Sequence, residues 1–178
     1  KDFLRRNGEF TVNIALISNR EPVLGVIYIP DRQVLYFAEK GSGAFKITDV
    51  VLGDAVDWNK LLLRAVKLPL PMYREGVIVA SSRSYVNVHV AAFVDNLREQ
   101  GSEVTLLVCG SSIKLCMVAE GSADIYPRFS PCMEWDTAAG RIILREAGCE
   151  IFKLNGRDPL EYNKENLTNP WFVSERVR

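Results

Sequence analysis

The sequence predicts an α/β protein in two parts, an α+β first half with antiparallel strands and an α/β second half. Three observations predict it. Up to Ile47, apolar and polar residues alternate in short stretches joined by tight turns, the pattern of an antiparallel meander. After Gly76, strand-like and helix-like stretches take turns, the pattern of a layered α/β sheet. Between them Pro69 and Pro71 break the chain, which puts a first domain over residues 1–70 and a second over residues 76–178.

Glu9 to Ile17 alternates, with Phe10, Val12, Ile14 and Leu16 on one face. Asn19 and Arg20 turn the chain into Pro22 to Ile29, where Val23, Leu24, Val26 and Ile27 dominate. Pro30 and Asp31 make the next turn. Gln33 to Ala38 and Ala44 to Ile47 read as the third and fourth strands, separated by Gly41-Ser42-Gly43. Val50 to Leu63 could hold a short helix, and Leu63 to Leu68 a strand. Gly76 to Ala80 is a continuous apolar run, as expected of a strand buried on both faces. Asn87 to Gln100 sets Val90, Phe93, Val94 and Leu97 on one helical face. Glu103 to Val108 is a strand, followed by a helix over Ser111 to Glu120 that Gly121 closes. Ala123 to Tyr126 is a short strand. Asp136 to Ala147 is a helix closed by Gly148, with Asp136 placed to cap it. Cys149 to Leu154 and Trp171 to Ser174 complete the strands.

The balance of charge excludes some functions. Among 178 residues, Lys plus Arg number 22 and so do Asp plus Glu, so no electrostatic case for nucleic-acid or membrane-surface binding arises. No apolar run approaches the ~20 residues that span a bilayer. The opening Lys1-Asp2-Phe3-Leu4-Arg5-Arg6 has no apolar core behind its charges and is not a signal peptide. It also lacks a starting Met, which reads as a chain that begins inside a longer protein. Cys109, Cys116, Cys132 and Cys149 show no C-x-x-C spacing, and the single His89 stands apart, so no zinc site is expected. Reduced cysteines in a cytoplasmic protein fit this pattern.

Several loops carry chemistry suited to phosphate. Gly110-Ser111-Ser112-Ile113-Lys114 follows a predicted strand and opens a predicted helix, where amide N–H groups, the helix dipole, hydroxyls and an ammonium favour an anion. The same residues read equally as a Ser-capped helix with a solvated Lys. Arg128 ends the strand at Tyr126 and could clamp a phosphate, or lie on the surface in water. Ser81-Ser82-Arg83-Ser84-Tyr85 lies beyond a strand's C-terminal end, where ligands gather in open α/β sheets, but it also suits a polar capping loop. Asp136, in Glu134-Trp135-Asp136-Thr137-Ala138-Ala139-Gly140, could cap its helix and turn a carboxylate oxygen to a hard cation. One carboxylate is rarely a complete Mg²⁺ site. Taken together, these loops would suit a phosphate ester bound beside a metal.

Trp135-Asp136-Thr137-Ala138-Ala139-Gly140 resembles the W-D-x-A-A-G signature of the inositol monophosphatase superfamily of metal-dependent, lithium-sensitive phosphatases. The chain is most similar to the CysQ-type branch of 3'(2'),5'-bisphosphate nucleotidases. Lys1-Asp2-Phe3, the stretch Asn7 to Leu16, Gly110 to Lys114, Ala119 to Asp124 and Tyr126 to Phe129 carry that likeness. Pro159 to Asn163 and Asn169 to Phe172 carry it near the end.

The resemblance implies a layered αβαβα sugar-phosphatase fold, truncated at its N-terminus. It implies Mg²⁺ as cofactor and a nucleotide bisphosphate as the small-molecule partner. Asp136 would bind the metal and lie against the scissile phosphate or a ribose hydroxyl. Ser111, Ser112 and Lys114 would contact the nucleotide at its other phosphate, with Arg128 approaching the same group. Gly110 would let backbone come close to base or ribose. Tyr85 stands where the family usually has His, and could stack on a base or donate a hydrogen bond. The family's D-P-[LI]-D-G-T aspartates, which supply most metal ligands, would lie before Lys1. The residues present are therefore expected to bind the nucleotide rather than turn it over, and to expose apolar sheet surface.

Overall fold

Asn19 and Arg20, both at positive φ (50° and 64°), close a two-residue hairpin between β1 (Val12–Ser18) and β2 (Glu21–Ile29). The computed structural model describes residues 8–51, 53, 56–73, 75–82 and 88–177. β3 (Val34–Glu39) and β4 (Gly43–Ile47) extend the meander. The short helix α1 (Trp58–Leu62), capped by Asp57 through Lys60 N at 3.2 Å, leads into β5 (Val66–Lys67). These five strands form one sheet in chain order, antiparallel throughout.

The second sheet begins at β6 (Val77–Ser81). It is followed by α2 (Val88–Glu99), β7 (Val104–Val108), α3 (Ile113–Glu120) and β8 (Ile125–Arg128). Next come β9 (Cys132–Met133), α4 (Glu134–Glu146), β10 (Cys149–Lys153), β11 (Thr168–Asn169) and β12 (Phe172–Arg176). The sheet order is β10-β12-β8-β6-β7, parallel across β8, β6 and β7 and antiparallel from β8 outward to β10. β6 sits inside the sheet, which accounts for its apolar run. β9 and β11 pair with each other in a separate ladder that the sequence pattern did not reveal.

α4 holds the two sheets together. Gly25 of β2 lets the helix come close: a Cβ there would meet Ile142 Cγ2 at 2.4 Å and Ala139 O at 2.7 Å. On the other side, a Cβ on Gly140 would meet Leu115 Cδ1 of α3 at 2.4 Å. Ile142, Ile143 and Leu144 are fully buried, in a core shared with Ile27 and Tyr36 of the first sheet and Phe172 of the second. A helix covered on both sides must pair its charges. Arg141 makes two hydrogen bonds to Glu150, at 2.9 and 3.2 Å, and Arg145 reaches Glu21 at 3.3 Å. Glu146 accepts from Gly41 N and Gly43 N at 3.0 and 2.9 Å.

The covered face of β1 is the one carrying Ala15 and Ile17. Its more apolar face is open: Val12, Ile14 and Leu16 are 48, 60 and 58% exposed. Among the described residues, no helix is long and apolar enough to cross a membrane. All four cysteines are free and buried.

Candidate active site

A cavity of about 490 Å³ opens where the two sheets meet. One wall is Thr11 and Asn13, at the start of β1, with Ser111 and Ser112 of the turn before α3. The other is Lys114, Tyr126, Arg128, Cys132 and Asp136. Five of the expected site residues therefore share one space: Ser111, Ser112, Lys114, Arg128 and Asp136. Two do not. Gly110 does not line the cavity, and its N–H donates to the buried Glu9 Oε2 at 2.9 Å, so its backbone is turned to a structural partner. Tyr85, with Arg83 and Ser84, lies outside the described residues; Ser82 of the same loop lines the cavity.

The turn into α3 is held in an uncommon shape. Ser111 has φ 53°, in the left-handed region that residues with a Cβ avoid. Its hydroxyl is hydrogen-bonded to Thr11 Oγ1 at 2.7 Å. Ser112 stands at the N-cap of α3 but makes no side-chain cap bond. Its hydroxyl accepts from Asn13 Nδ2 at 2.7 Å and donates to Asp136 O at 3.1 Å.

The solvated Lys that the sequence allowed is excluded. Lys114 is 1% exposed, with Nζ donating to Cys109 O at 3.0 Å and Ser111 O at 2.9 Å and lying 5.1 Å from the Tyr126 ring centre. Two backbone carbonyls fix this buried ammonium at the wall of the cavity. Arg128 is likewise anchored by neutral acceptors: Tyr126 Oη at 3.0 Å, Pro131 O at 3.2 Å and Ser130 O at 3.3 Å. Burial opposes its charge, but Tyr126, Cys132 and Asp136 around it outweigh that and hold its pKa above the ordinary value. Burial pushes the Tyr126 phenol up to about 12 and raises the Cys132 thiol, so both face the cavity protonated.

Asp136 is not the N-cap. α4 starts two residues earlier, at Glu134, behind an extended Met133. Asp136 is the third helical residue and reaches back, Oδ2 accepting from Met133 N at 3.0 Å. Its Oδ1 has no hydrogen bond among the described residues. That oxygen fits one ligand position of a hard cation such as Mg²⁺, whose other ligands are commonly water and substrate phosphate. Among the described residues, no three His, Cys, Asp or Glu side chains gather as a metal site.

Sequence reasoning missed Glu9, Thr11 and Asn13. The signal was present as three polar residues at alternate positions on the less apolar face of the first strand.

The chain matches the model of the inositol monophosphatase family over residues 1–175. It is 40% identical over 174 residues to a 3'(2'),5'-bisphosphate nucleotidase CysQ of Shigella flexneri, an alignment covering 97% of this chain and 62% of that protein. The Escherichia coli K12 protein of the same name is 39% identical over 173 residues, with the same coverage of 97 and 62%. The crystal structure of CysQ from Bacteroides thetaiotaomicron, a bacterial member of the inositol monophosphatase family, superposes with a TM-score of 0.93 at 47% identity. That superposition covers 99% of this chain and 66% of the other. The chain thus spans about 62% of the length of the curated relatives it matches.

Proposed function

Since the chain belongs to the inositol monophosphatase family, we propose that it serves a Mg²⁺-dependent 3'(2'),5'-bisphosphate nucleotidase. The reaction is removal of the 3'-phosphate from 3'-phosphoadenosine 5'-phosphate, giving AMP and phosphate. The observation that carries this reading is the placing of two anchored cations, Lys114 and Arg128, in one cavity with the Asp136 carboxylate. Two cations suit a ligand with two phosphates; an inositol monophosphate has only one. The buried cysteines suit a reducing compartment such as the cytoplasm.

The chain's own residues would bind and orient. Lys114 and Arg128 are fixed before the ligand arrives, so little ordering remains to be done on binding. Ser111 and Ser112 line the same wall; the Ser111 hydroxyl can turn its hydrogen to a phosphate when Thr11 donates to it, whereas Ser112 spends its own on Asp136 O. Asp136 Oδ1 would hold the cation, while Oδ2 ties the start of α4. When bound, Mg²⁺ neutralises phosphate charge and makes water a better nucleophile. The single carboxylate among the described cavity residues favours a second outcome, a nucleotide site that binds without turnover.

Calorimetric titration with adenosine 3',5'-bisphosphate, AMP and inositol monophosphate tests the reading. The bisphosphate is expected to bind tightest. Equal or tighter binding of inositol monophosphate would point to an inositol phosphatase instead. A phosphate-release assay with Mg²⁺ separates turnover from binding alone.

A further inference from the structure

We propose that Glu9, Thr11 and Asn13 are positioning residues that set the cavity's preference for a nucleotide with a phosphate at both ends. The proposal rests on the bisphosphate reading above and names what shapes that site.

Alternate residues of an extended chain share one face. Here three of them meet three successive residues of the turn, one for one. Glu9 Oε2 accepts from Gly110 N at 2.9 Å, Thr11 Oγ1 bonds to Ser111 Oγ at 2.7 Å, and Asn13 Nδ2 donates to Ser112 Oγ at 2.7 Å. The partners lie about a hundred residues apart in sequence, so the first sheet holds the mouth of the second.

The strap does two things. It adds a side-chain tie to Ser111 at φ 53°, beside the bond that Lys114 Nζ makes to Ser111 O at 2.9 Å. It also redirects Ser112. By taking a hydrogen from Asn13, the Ser112 oxygen gives its own to Asp136 O and stays off the first turn of α3. A free N-cap serine would fold onto the amides of its own helix. The strap thus keeps that end of the helix for the ligand and ties the turn to the residue proposed to hold the metal.

Asn13 is poorly explained by stability. Its Oδ1 is buried without a hydrogen-bond partner among the described residues. An apolar residue of the same shape would avoid that penalty. What the asparagine adds is the hydrogen bond to Ser112.

The test is the affinity ratio between adenosine 3',5'-bisphosphate and adenosine 3'-monophosphate, read by calorimetry for wild type, Asn13→Leu, Thr11→Val and Thr11→Ser. Wild type is expected to prefer the bisphosphate. Asn13→Leu and Thr11→Val should each cut that preference about tenfold, the effect of removing one positioning hydrogen bond in a closed site. Thr11→Ser, which keeps the hydroxyl, should retain it. General loosening of the fold would instead weaken both ligands alike. If wild type shows no preference, the bisphosphate reading fails and the strap falls with it. If wild type prefers the bisphosphate and the folded variants keep the full ratio, only the strap is overturned. Should Asn13→Leu fail to fold, the Thr11→Val and Thr11→Ser pair decides alone.

Discussion

Asn13 and Ser112 meet at 2.7 Å, and through that one hydroxyl the first strand is linked to Asp136 on α4. Asn13 lies in the first sheet, and Ser112 stands at the N-cap of α3, which packs with the second. Their contact places the lip of the cavity at the joint of the molecule, where packing faults in α4 would reach the site.

Gly25→Ala and Gly140→Ala should therefore differ in cost. The added methyl at 25 runs into Ile142 Cγ2 at 2.4 Å and the backbone oxygen of Ala139 at 2.7 Å, so the helix itself must move. At 140 it meets Leu115, whose Cδ1 at 2.4 Å can swing away while Cβ at 3.0 Å needs only a slight shift of α3, and Ala is also the better helix former. Urea unfolding should show a loss of about 1–3 kcal/mol for Gly25→Ala and a smaller one for Gly140→Ala. Equal, negligible losses would contradict the close packing of α4 on β2.

Lys114→Met tests whether the buried cation serves binding as well as packing. It leaves Cys109 O and Ser111 O without their Nζ donor, which costs roughly 1–3 kcal/mol. It also removes positive charge from the cavity. Thermal unfolding should come earlier, and binding of adenosine 3',5'-bisphosphate should weaken at least about tenfold. Lost stability with unchanged affinity would make Lys114 a purely structural residue.

Glu134 should make the fold acid-sensitive. It is buried, which works against its charge, but Lys164 and the N–H groups of Lys164 and Asn163 outweigh burial and lower its pKa below 4.5. A lowered carboxylate adds stability that is complete above its unfolded pKa and disappears as pH falls through its folded one. Melting temperature should fall below pH 4.5, and Glu134→Gln should flatten that fall while lowering the plateau above it. The same acid slope in both proteins would remove Glu134 from the account.

Much of this was legible in the sequence. The meander showed itself by alternation, and β6 by its unbroken apolar run. Ser111, Ser112, Lys114 and Arg128 were singled out at strand ends, where the structure brings them to one cavity. Other features were not legible, for identifiable reasons. An Asp at the third position of a helix looks in sequence like an Asp at its cap, so α4 was started two residues late. Two-residue strands such as β9 and β11 leave no period to read. Alternation in β1 revealed an apolar face but not which face is covered. The small residues Ala15 and Gly25 admit α4 on the opposite side. The partners of Glu9, Thr11 and Asn13 are distant in sequence, and only the folded chain supplies them.

The most direct single measurement is the affinity for adenosine 3',5'-bisphosphate with and without Mg²⁺, for wild type beside Asp136→Asn. Asn at 136 can still accept from Met133 N, so α4 should keep its start and the melting temperature should barely change. The account predicts that Mg²⁺ tightens binding to wild type and does nothing for Asp136→Asn. Equal tightening of both proteins by Mg²⁺, or none in either, would contradict a cation held at Asp136 in a nucleotide bisphosphate site.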